Sequence, residues 1–211
     1  AVQDVRTCQK DTLIQIILTG ATEILYFCGP YSYLTMDTKG KKIILGSNSP
    51  RRKELLSGLD IEFVVDTGNT FEEKYDSKTP HERIPEVLSE GKSYGFHRSL
   101  EEDEILITSD TLVLCGDRVM GKPHSREEAI DMLRHLSGRG HKVITAVTLR
   151  DNQHCTTSSD TAIVHFKKLP HKEIEYYVDN YKPYDKAGAY GIQEWIDYIG
   201  IGKIAGSYLP I

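Results

Sequence analysis

Residues 41–56 read KKIILGSNSPRRKELL and decide the fold, because an apolar run, a polar turn and a helix start follow one another directly. The run is typical of a buried strand, and Ser49 followed by Pro50 is typical of a helix N-terminus with serine as the cap. Between residues 39 and 53 there are six lysines and arginines and no acid. Cations at this end of a helix are unfavourable unless an anion meets them, so the turn predicts an anion site. The alternative is two solvated arginines, Arg51 and Arg52, beside an ordinary cap.

The composition indicates a globular protein that can bury a core. Of the 211 residues, 39% are hydrophobic and 27% are charged, and the formal net charge is −5. This acidity argues against a nucleic acid polymer as a partner, although local cations can still hold a small anion. The four cysteines have no spacing typical of a metal site, which favours a reducing cytoplasm.

Residues 1–35 differ in pattern from the rest of the chain. They are moderately apolar, but Gln15 and Glu23 interrupt the run, so the pattern predicts neither a membrane span nor a secretory signal. We expect the domain to occupy residues 36–211, with residues 1–35 as an atypical extension or a stretch upstream of the true start. The alternative is an additional element that packs on the domain.

Strand and helix patterns alternate from residue 41 onward, which predicts an α/β domain with a mixed sheet. Strands are expected at 61–66 and 104–110, a hairpin at 111–122 with its turn at 116–117, and an antiparallel pair at 141–168. Helices are expected from 79 to about 98, from a capping box at Ser125 to 138, and from 170 to about 180. The Gly- and Tyr-rich stretch 181–195 fits a loop better than a core element.

Acidic residues supply the candidates for catalysis. Asp110 closes the apolar strand 104–110, and ligands of open α/β sheets gather beyond the carboxyl ends of strands. A carboxylate there can accept a proton from water or hold Mg²⁺, although a lone aspartate more often bonds its own turn. Glu72 and Glu73 lie on a loop, where adjacent acids are usually solvated; paired with Asp110, they would form a Mg²⁺ site.

A near-match to a phosphate-binding motif is rejected. Residues 116–123, GDRVMGKP, follow the P-loop pattern up to the last position. There Pro123 has neither the hydroxyl nor the backbone N–H that the motif needs. Lys122 is therefore either a phosphate contact in its own right or an exposed lysine.

Five segments together resemble the Maf family of nucleoside triphosphate pyrophosphatases: SNSPRRKELL, SDT, GKP, LSGRGHKVITAV and DKAGAYGIQ. They occur in order between about residues 41 and 208, and the set is far more specific than any single motif. The resemblance implies a Maf/ITPase-like α/β fold, a mixed sheet flanked by helices, with two lobes and a central cleft. The family lacks a counterpart of residues 1–35 and has a longer run after GSY (206–208), where this chain continues with LPI.

The resemblance also implies a reaction. Family members hydrolyse a nucleoside triphosphate to the monophosphate and pyrophosphate with a divalent metal cation, Mg²⁺ or Mn²⁺. Carried over by motif, Asp110 is the general base that activates water, and Glu73 and Asp110 hold the metal. The positions associated with a preference for dTTP and UTP are Arg51, Thr111 and Gln193. Further cleft positions fall on Ser47, Arg52, Lys92, Lys122 and Lys186.

Two other functions stay open at this point. Members of the family have been linked to septum formation, so a nucleotide-binding regulator of cell division is one alternative, and a pyrophosphatase for modified nucleotides is another. We expect a cytoplasmic protein whose partner is its nucleoside triphosphate substrate, with no nucleic acid polymer and no membrane. A homodimer is open as its assembly.

Overall fold

Two compact units make up the described chain. The computed structural model describes residue 38 and residues 40–206, so the expectations for residues 1–35 and for the last five residues lie outside it. The first unit takes the described residues up to 79 together with 83–110 and 146–159, and the second takes 80–82, 111–145 and 160–206. No helix in this part of the chain is long and apolar enough to cross a membrane.

Strands and helices alternate along the described residues, as the sequence predicts. In chain order they are β1 (Lys42–Leu45), α1 (Pro50–Ser57), β2 (Phe63–Val65), α2 (Ile84–Tyr94), β3 (Glu104–Cys115), β4 (Arg118–Met120), α3 (Arg126–Leu136), β5 (Gly140–Arg150), β6 (Cys155–Phe166), α4 (His171–Tyr181), α5 (Trp195–Gly200) and β7 (Ile201–Ala205). Single 3-10 turns occur at His81–Arg83 and Ala187–Ala189.

The strands of the described residues form one seven-stranded sheet in the order β2-β1-β3-β5-β6-β7, with β4 paired to β3. β1 runs parallel to β2 and β3, whereas the pairs β3–β4 and β6–β7 are antiparallel. β5 and β6 are neighbours joined by residues 151–154, a link too short for a parallel pair. The predicted mixed sheet with helices is therefore confirmed, and the cleft stays a prediction.

In the first unit, β1 is buried on both faces. Successive side chains of a strand project to opposite sides, so the unbroken run Ile-Ile-Leu needs apolar partners on each side. Ile43 and Leu45 pack in one cluster with Leu56 of α1, and Ile44 packs in another with Phe96. This double covering fixes the end of β1, from which the chain turns directly into α1.

The second unit packs α3 and α4 in one apolar cluster with its strands. Ser125 caps α3 as predicted, because its hydroxyl accepts the Glu128 N–H at 3.1 Å. The return bond of the capping box goes one residue further, since a Glu128 carboxylate oxygen accepts the His124 N–H at 2.7 Å. The helix start that carries the chain away from β4 is thus fixed by local bonds.

The stretch 181–195 corrects the sequence prediction, because it is irregular but belongs to the core. Ala189, Tyr190 and Ile192 are buried in the cluster of the second unit. Gly188 permits this close approach: its φ is +68°, and an added Cβ would lie 3.0 Å from the side chain of Val113. The Gly- and Tyr-rich composition suggested a loop outside the core, whereas the small residues here allow the backbone to pack tightly.

Two predicted boundaries are wrong. β3 does not end at Asp110 but continues to Cys115 and turns at Gly116, with φ +60°, into β4. The helix expected from 79 to about 98 starts as a 3-10 turn, becomes helical only at Ile84 and ends at Tyr94. Pro85 lies in its first turn, where a missing N–H costs no helical bond. α5 and β7 were not predicted.

Candidate functional site

The N-terminus of α1 lacks a capping side chain and an acidic residue in its first turn. Ser49 occupies the cap position, but its side chain makes no cap bond, so that part of the prediction is wrong. Instead, the Ser47 hydroxyl accepts the Ser49 N–H at 3.2 Å and a guanidinium N–H of Arg52 at 3.3 Å. The first N–H groups of a helix have no helical partner. With Arg51 and Arg52 both half-buried on this turn, the helix end is strongly cationic.

A lysine joins the two acids that were predicted to hold a metal. Lys92 Nζ, in the last turn of α2, lies 2.9 Å from a Glu73 carboxylate oxygen and 2.5 Å from Asp110 Oδ1. The side chains of Lys92 and Asp110 are 19% and 13% exposed, whereas that of Glu73 is 59% exposed. A largely buried ammonium needs such anionic partners. The two carboxylates therefore converge on one cation position.

The charges around Asp110 oppose one another. Burial raises the pKa of Asp110 above the usual aspartate range, and the nearby carboxylate of Glu73 raises it further, while Lys92 and Arg52 lower it. Burial likewise lowers the pKa of Arg52, against the attraction of Asp110 and Glu73. A guanidinium stays charged in proteins. Four of the predicted residues, on the end of α1, the 66–79 loop, α2 and β3, thus form one electrostatic group within the first unit.

Two further predicted residues lie on and just after the β3–β4 hairpin of the second unit. The Thr111 hydroxyl is 2.9 Å from the Thr145 hydroxyl on β5, and either can donate. Lys122 is exposed beyond the end of β4. Its neighbour Gly121 accepts the Gly188 N–H at 3.0 Å, which connects this segment to the buried stretch 181–195.

The last two predicted residues, Lys186 and Gln193, belong to a tightly bonded segment. Lys186 Nζ lies 3.0 Å from Glu194 Oε1, and the hydrogen bonds to Asp185 and Glu194 outweigh burial, so its pKa is raised. The buried Tyr177 hydroxyl donates to the Glu194 carboxylate and accepts the Gly191 N–H at 3.1 Å. Gln193 is exposed beside these anchored residues.

Sequence reasoning missed Tyr177 and Glu194. Tyr177 lies among the apolar positions of α4, as a core residue does, and burial raises the pKa of its phenol, which keeps the hydroxyl protonated. Glu194 is 17 residues away along the chain and carries no motif. The available signal was that a tyrosine at a buried position of a helix needs a hydrogen-bond partner for its hydroxyl.

The described residues contain no group of three or more His, Cys, Asp or Glu side chains arranged to hold a metal ion. The acidic oxygens at the candidate site are those of Glu73 and Asp110, which converge on the ammonium of Lys92. Carboxylate oxygens are the donors that Mg²⁺ and Mn²⁺ prefer. The donor chemistry of this pair therefore fits a divalent cation.

Comparison with known proteins assigns the chain to a family. Residues 42–211 match the family model described as Maf-like protein. The chain belongs to the Maf family. This Maf protein is 46% identical over 170 residues to a dTTP/UTP pyrophosphatase of Bacteroides thetaiotaomicron, covering 81% of this chain and 88% of the relative. It is 48% identical over 173 residues to a dTTP/UTP pyrophosphatase of Parabacteroides distasonis, covering 82% and 90%. For one of Flavobacterium johnsoniae the values are 43% over 173 residues, covering 82% and 89%.

The resemblance predicted from the five segments is thereby confirmed. Every predicted site residue of this Maf protein lies inside the matched range: Ser47, Arg51, Arg52, Glu73, Lys92, Asp110, Thr111, Lys122, Lys186 and Gln193. Residues 1–35 lie outside it, and the boundary at residue 36 stays a prediction. The individual roles of the site residues also stay predictions.

Proposed function

We propose that this Maf protein hydrolyses nucleoside triphosphates to the monophosphate and pyrophosphate, with dTTP and UTP as preferred substrates. The observation that carries the proposal is the largely buried carboxylate of Asp110, which is held by Lys92 and lies under the charge of Arg52 from the N-terminus of α1. The cationic helix end can bind a polyphosphate, and the neighbouring carboxylate can accept a proton from the water that attacks it. The names of the relatives support the substrate class.

Asp110 acts as the general base in this proposal. It takes a proton from a water molecule as the water oxygen attacks the α-phosphorus. The bond from the α-phosphorus to the oxygen bridging the β-phosphorus breaks, and pyrophosphate leaves with that electron pair. Burial raises the pKa of Asp110, which makes its carboxylate a stronger base than an exposed aspartate. Lys92 fixes the carboxylate and favours its ionised form.

The triphosphate is the expected anion at the start of α1. Arg51 and Arg52 provide forked donors for phosphate oxygens, and the backbone N–H groups of the first turn add to them. Ser47 orients Arg52 through its hydroxyl. Lys122 and Lys186 are proposed as further substrate contacts, following the family pattern.

The base preference is assigned to Arg51, Thr111 and Gln193, following the family pattern. The carboxamide of Gln193 can both donate and accept, which suits the edge of a pyrimidine. Its exposure leaves these groups accessible, and the bonds of Tyr177 and Glu194 on either side hold the backbone that carries it. A fixed polar group discriminates against a base that leaves it unpaired.

A divalent cation, Mg²⁺ or Mn²⁺, is the proposed cofactor, and Glu73 and Asp110 are the residues that would hold it. Both carboxylates already face a single cation, the ammonium of Lys92, which supports their use as a pair. The bound cation would neutralise charge on the triphosphate. Glu73 is the more exposed partner and the more accessible to an ion from solution.

Pyrophosphate release from a panel of nucleoside triphosphates, with Mg²⁺ or Mn²⁺, tests the proposal. Asp110→Asn is expected to lower kcat by roughly 10²–10⁴-fold because the base is lost. Nucleotide affinity, measured with a non-hydrolysable dTTP analogue, should stay within a few-fold. Asp117→Asn, on the exposed turn between β3 and β4, is the matched control and should keep full activity.

Each outcome of the panel has a distinct meaning. Full activity in Asp110→Asn would remove Asp110 from the mechanism. Tight nucleotide binding without pyrophosphate release from any substrate would favour a regulator of cell division. A preference for modified bases would favour a pyrophosphatase for modified nucleotides. The cytoplasmic location and the homodimer remain predictions, which fractionation and light scattering would test.

A further inference from the structure

α2 contains a glycine in its interior, at Gly91, and another at its C-terminal cap, Gly95. Glycine is less favourable than alanine within a helix, so a glycine there needs a reason. At Gly91 the reason is steric: an added Cβ would lie 2.2, 2.4 and 2.7 Å from three atoms of the Phe71 ring. No side chain fits between the helix backbone and this ring. The Phe71 ring therefore packs directly on the backbone at Gly91, a contact that we call the seat of Phe71.

The segment before Phe71 approaches the same helix just as closely. A Cβ at Gly95 would lie 2.5 Å from Phe71 Cβ and 2.7 Å from Asn69 Oδ1. The Asn69 side chain donates to the Lys92 carbonyl at 2.5 Å, and the Thr70 N–H donates to the Gly95 carbonyl at 2.8 Å. Residues 69–71 thus lie directly on the last turns of α2, fixed by hydrogen bonds on one side and by the ring on the other.

Glu73 follows two residues after Phe71, and its own side chain is 59% exposed. A solvated glutamate on a loop loses side-chain entropy when it is held in place, so an ion pair alone holds it weakly. The carboxylate nevertheless lies 2.9 Å from Lys92 Nζ. Lys92 is the residue next to Gly91, so the same turn of α2 seats Phe71 and presents the ammonium that faces Glu73 and Asp110.

We propose that Phe71, seated on Gly91, is a positioning residue that holds Glu73 beside Lys92 and Asp110. It does not touch the reacting atoms; it sets where the exposed acid of the pair can lie. The expected effect on catalysis rests on the proposed function. The packing of Phe71 on Gly91 does not, because it is a feature of the loop and α2.

Three variants test whether the packing of the Phe71 ring on Gly91 positions Glu73. Phe71→Ala removes the ring, Gly91→Ala displaces it, and the double variant carries both changes. We expect each single variant to lower kcat/KM by roughly 10- to 100-fold, mainly through kcat, because a displaced Glu73 leaves the site misaligned. The double variant should be no worse than Phe71→Ala, since alanine at 91 meets no ring once Phe71 is gone. Tyr75→Ala, an exposed aromatic of the same loop, is the matched control.

Two measurements without substrate separate positioning from catalysis. Amide hydrogen exchange should speed up at residues 68–73 in Phe71→Ala and Gly91→Ala but not in Tyr75→Ala. Mn²⁺ titration should show weaker binding in the same two variants, because one of the two carboxylates is displaced. Gly91→Ala keeps the Phe71 ring in the protein and favours the helix, so it stays informative if Phe71→Ala does not fold.

The outcomes distinguish this inference from the proposed function. If the wild type releases pyrophosphate and both single variants keep kcat/KM, exchange rates and Mn²⁺ affinity, Phe71 has no positioning role. If the wild type releases none from any triphosphate, the proposed function fails, and hydrogen exchange and Mn²⁺ binding still decide the seat. A double variant much worse than Phe71→Ala would also overturn the steric argument.

Discussion

Lys92 shares its ammonium between two carboxylates of unequal exposure. The resemblance to the family implied a cleft position for this lysine, and the structure places its Nζ against Glu73 and Asp110. An ammonium that already faces two acids is less available to a phosphate oxygen. Its effect on the chemistry runs through Asp110, whose ionised form it stabilises against burial.

Lys92→Met should therefore move the acid limb of the kcat/KM profile to higher pH. Burial raises the pKa of Asp110 and Lys92 lowers it, so loss of the ammonium raises that pKa further. Below its pKa the base is protonated and cannot accept a proton from water. A pH profile from 4 to 9 measures the shift. Lys92→Arg, which keeps the charge, should shift less, and an unmoved limb in Lys92→Met would contradict the assignment.

Site residues differ in how well the sequence predicts them. Ser47, Arg51 and Arg52 lie within a few positions of one helix start, where local rules apply, so their grouping was predictable. Lys92 and Asp110 are separated by 18 residues, and nothing in their local sequences predicts a contact. Their pairing results from β3 running past the end of α2, which is a property of the fold.

At the scale of elements, α4 holds the segment that carries Lys186 and Gln193. Tyr177 is fully buried, and its single hydroxyl serves two groups of that segment, the Glu194 carboxylate and the Gly191 N–H. Tyr181, one turn later, stacks on Tyr177 with ring centroids 5.1 Å apart and remains partly exposed. Of these two tyrosines, Tyr177 therefore supplies a structural hydroxyl and Tyr181 a packing ring.

Tyr177→Phe should loosen the segment 186–194 while the ring still fills the core. We expect a loss of about 1–2 kcal/mol in the free energy of unfolding, because the Gly191 N–H and Glu194 lose a buried partner. KM for dTTP should rise more than kcat falls, and the ratio of kcat/KM for dTTP to kcat/KM for CTP should decrease. Steady-state kinetics and urea unfolding measure these effects. Tyr181→Phe is the control, and an equal change in it would refute the role of the Tyr177 hydroxyl.

Elements with local start and stop residues were predicted well. Ser49-Pro50, Ser125 and Pro170 mark helix starts within a residue of those observed, and Gly116 marks the hairpin. The prediction failed where tertiary packing decides. β3 crosses the polar residues 108–111 because neighbouring strands pair with it, and the stretch 181–195 is buried because small residues let it approach the core.

At the scale of the whole molecule, a buried histidine links stability to pH. His141 is 2% exposed, and its Nε2 lies 2.7 Å from the Tyr190 hydroxyl. Within the described residues its Nδ1 has no hydrogen-bond partner. Burial, with a smaller contribution from His165, lowers the pKa of His141 from 6.5 to about 4. The folded protein thus resists a proton that the unfolded chain accepts.

Acid should therefore destabilise the protein in a defined window. Because the folded pKa is the lower one, the stability conferred by neutral His141 is complete above about pH 6.5 and is lost as the pH falls towards about 4. The loss should be on the order of 3 kcal/mol. Urea unfolding at pH 7 and pH 4.5 measures it. His141→Gln cannot titrate, so it should be less stable at pH 7 but show a flatter dependence; an equally steep one would contradict the prediction.

Because Lys92 is a counter-ion built into the site, removal of divalent metal ions should affect activity and stability differently. Since the ammonium between Glu73 and Asp110 already balances part of their charge, the resting protein does not need a dissolved ion to keep these acids from repelling each other. Chelation by EDTA should abolish turnover and lower the thermal unfolding midpoint only by the amount that loss of ion binding accounts for, whereas proteins whose folding depends on a bound ion unfold without it. Differential scanning calorimetry in EDTA and at increasing Mg²⁺ would show this, and loss of the cooperative unfolding transition in EDTA would mean that an ion, not the lysine, balances the resting site.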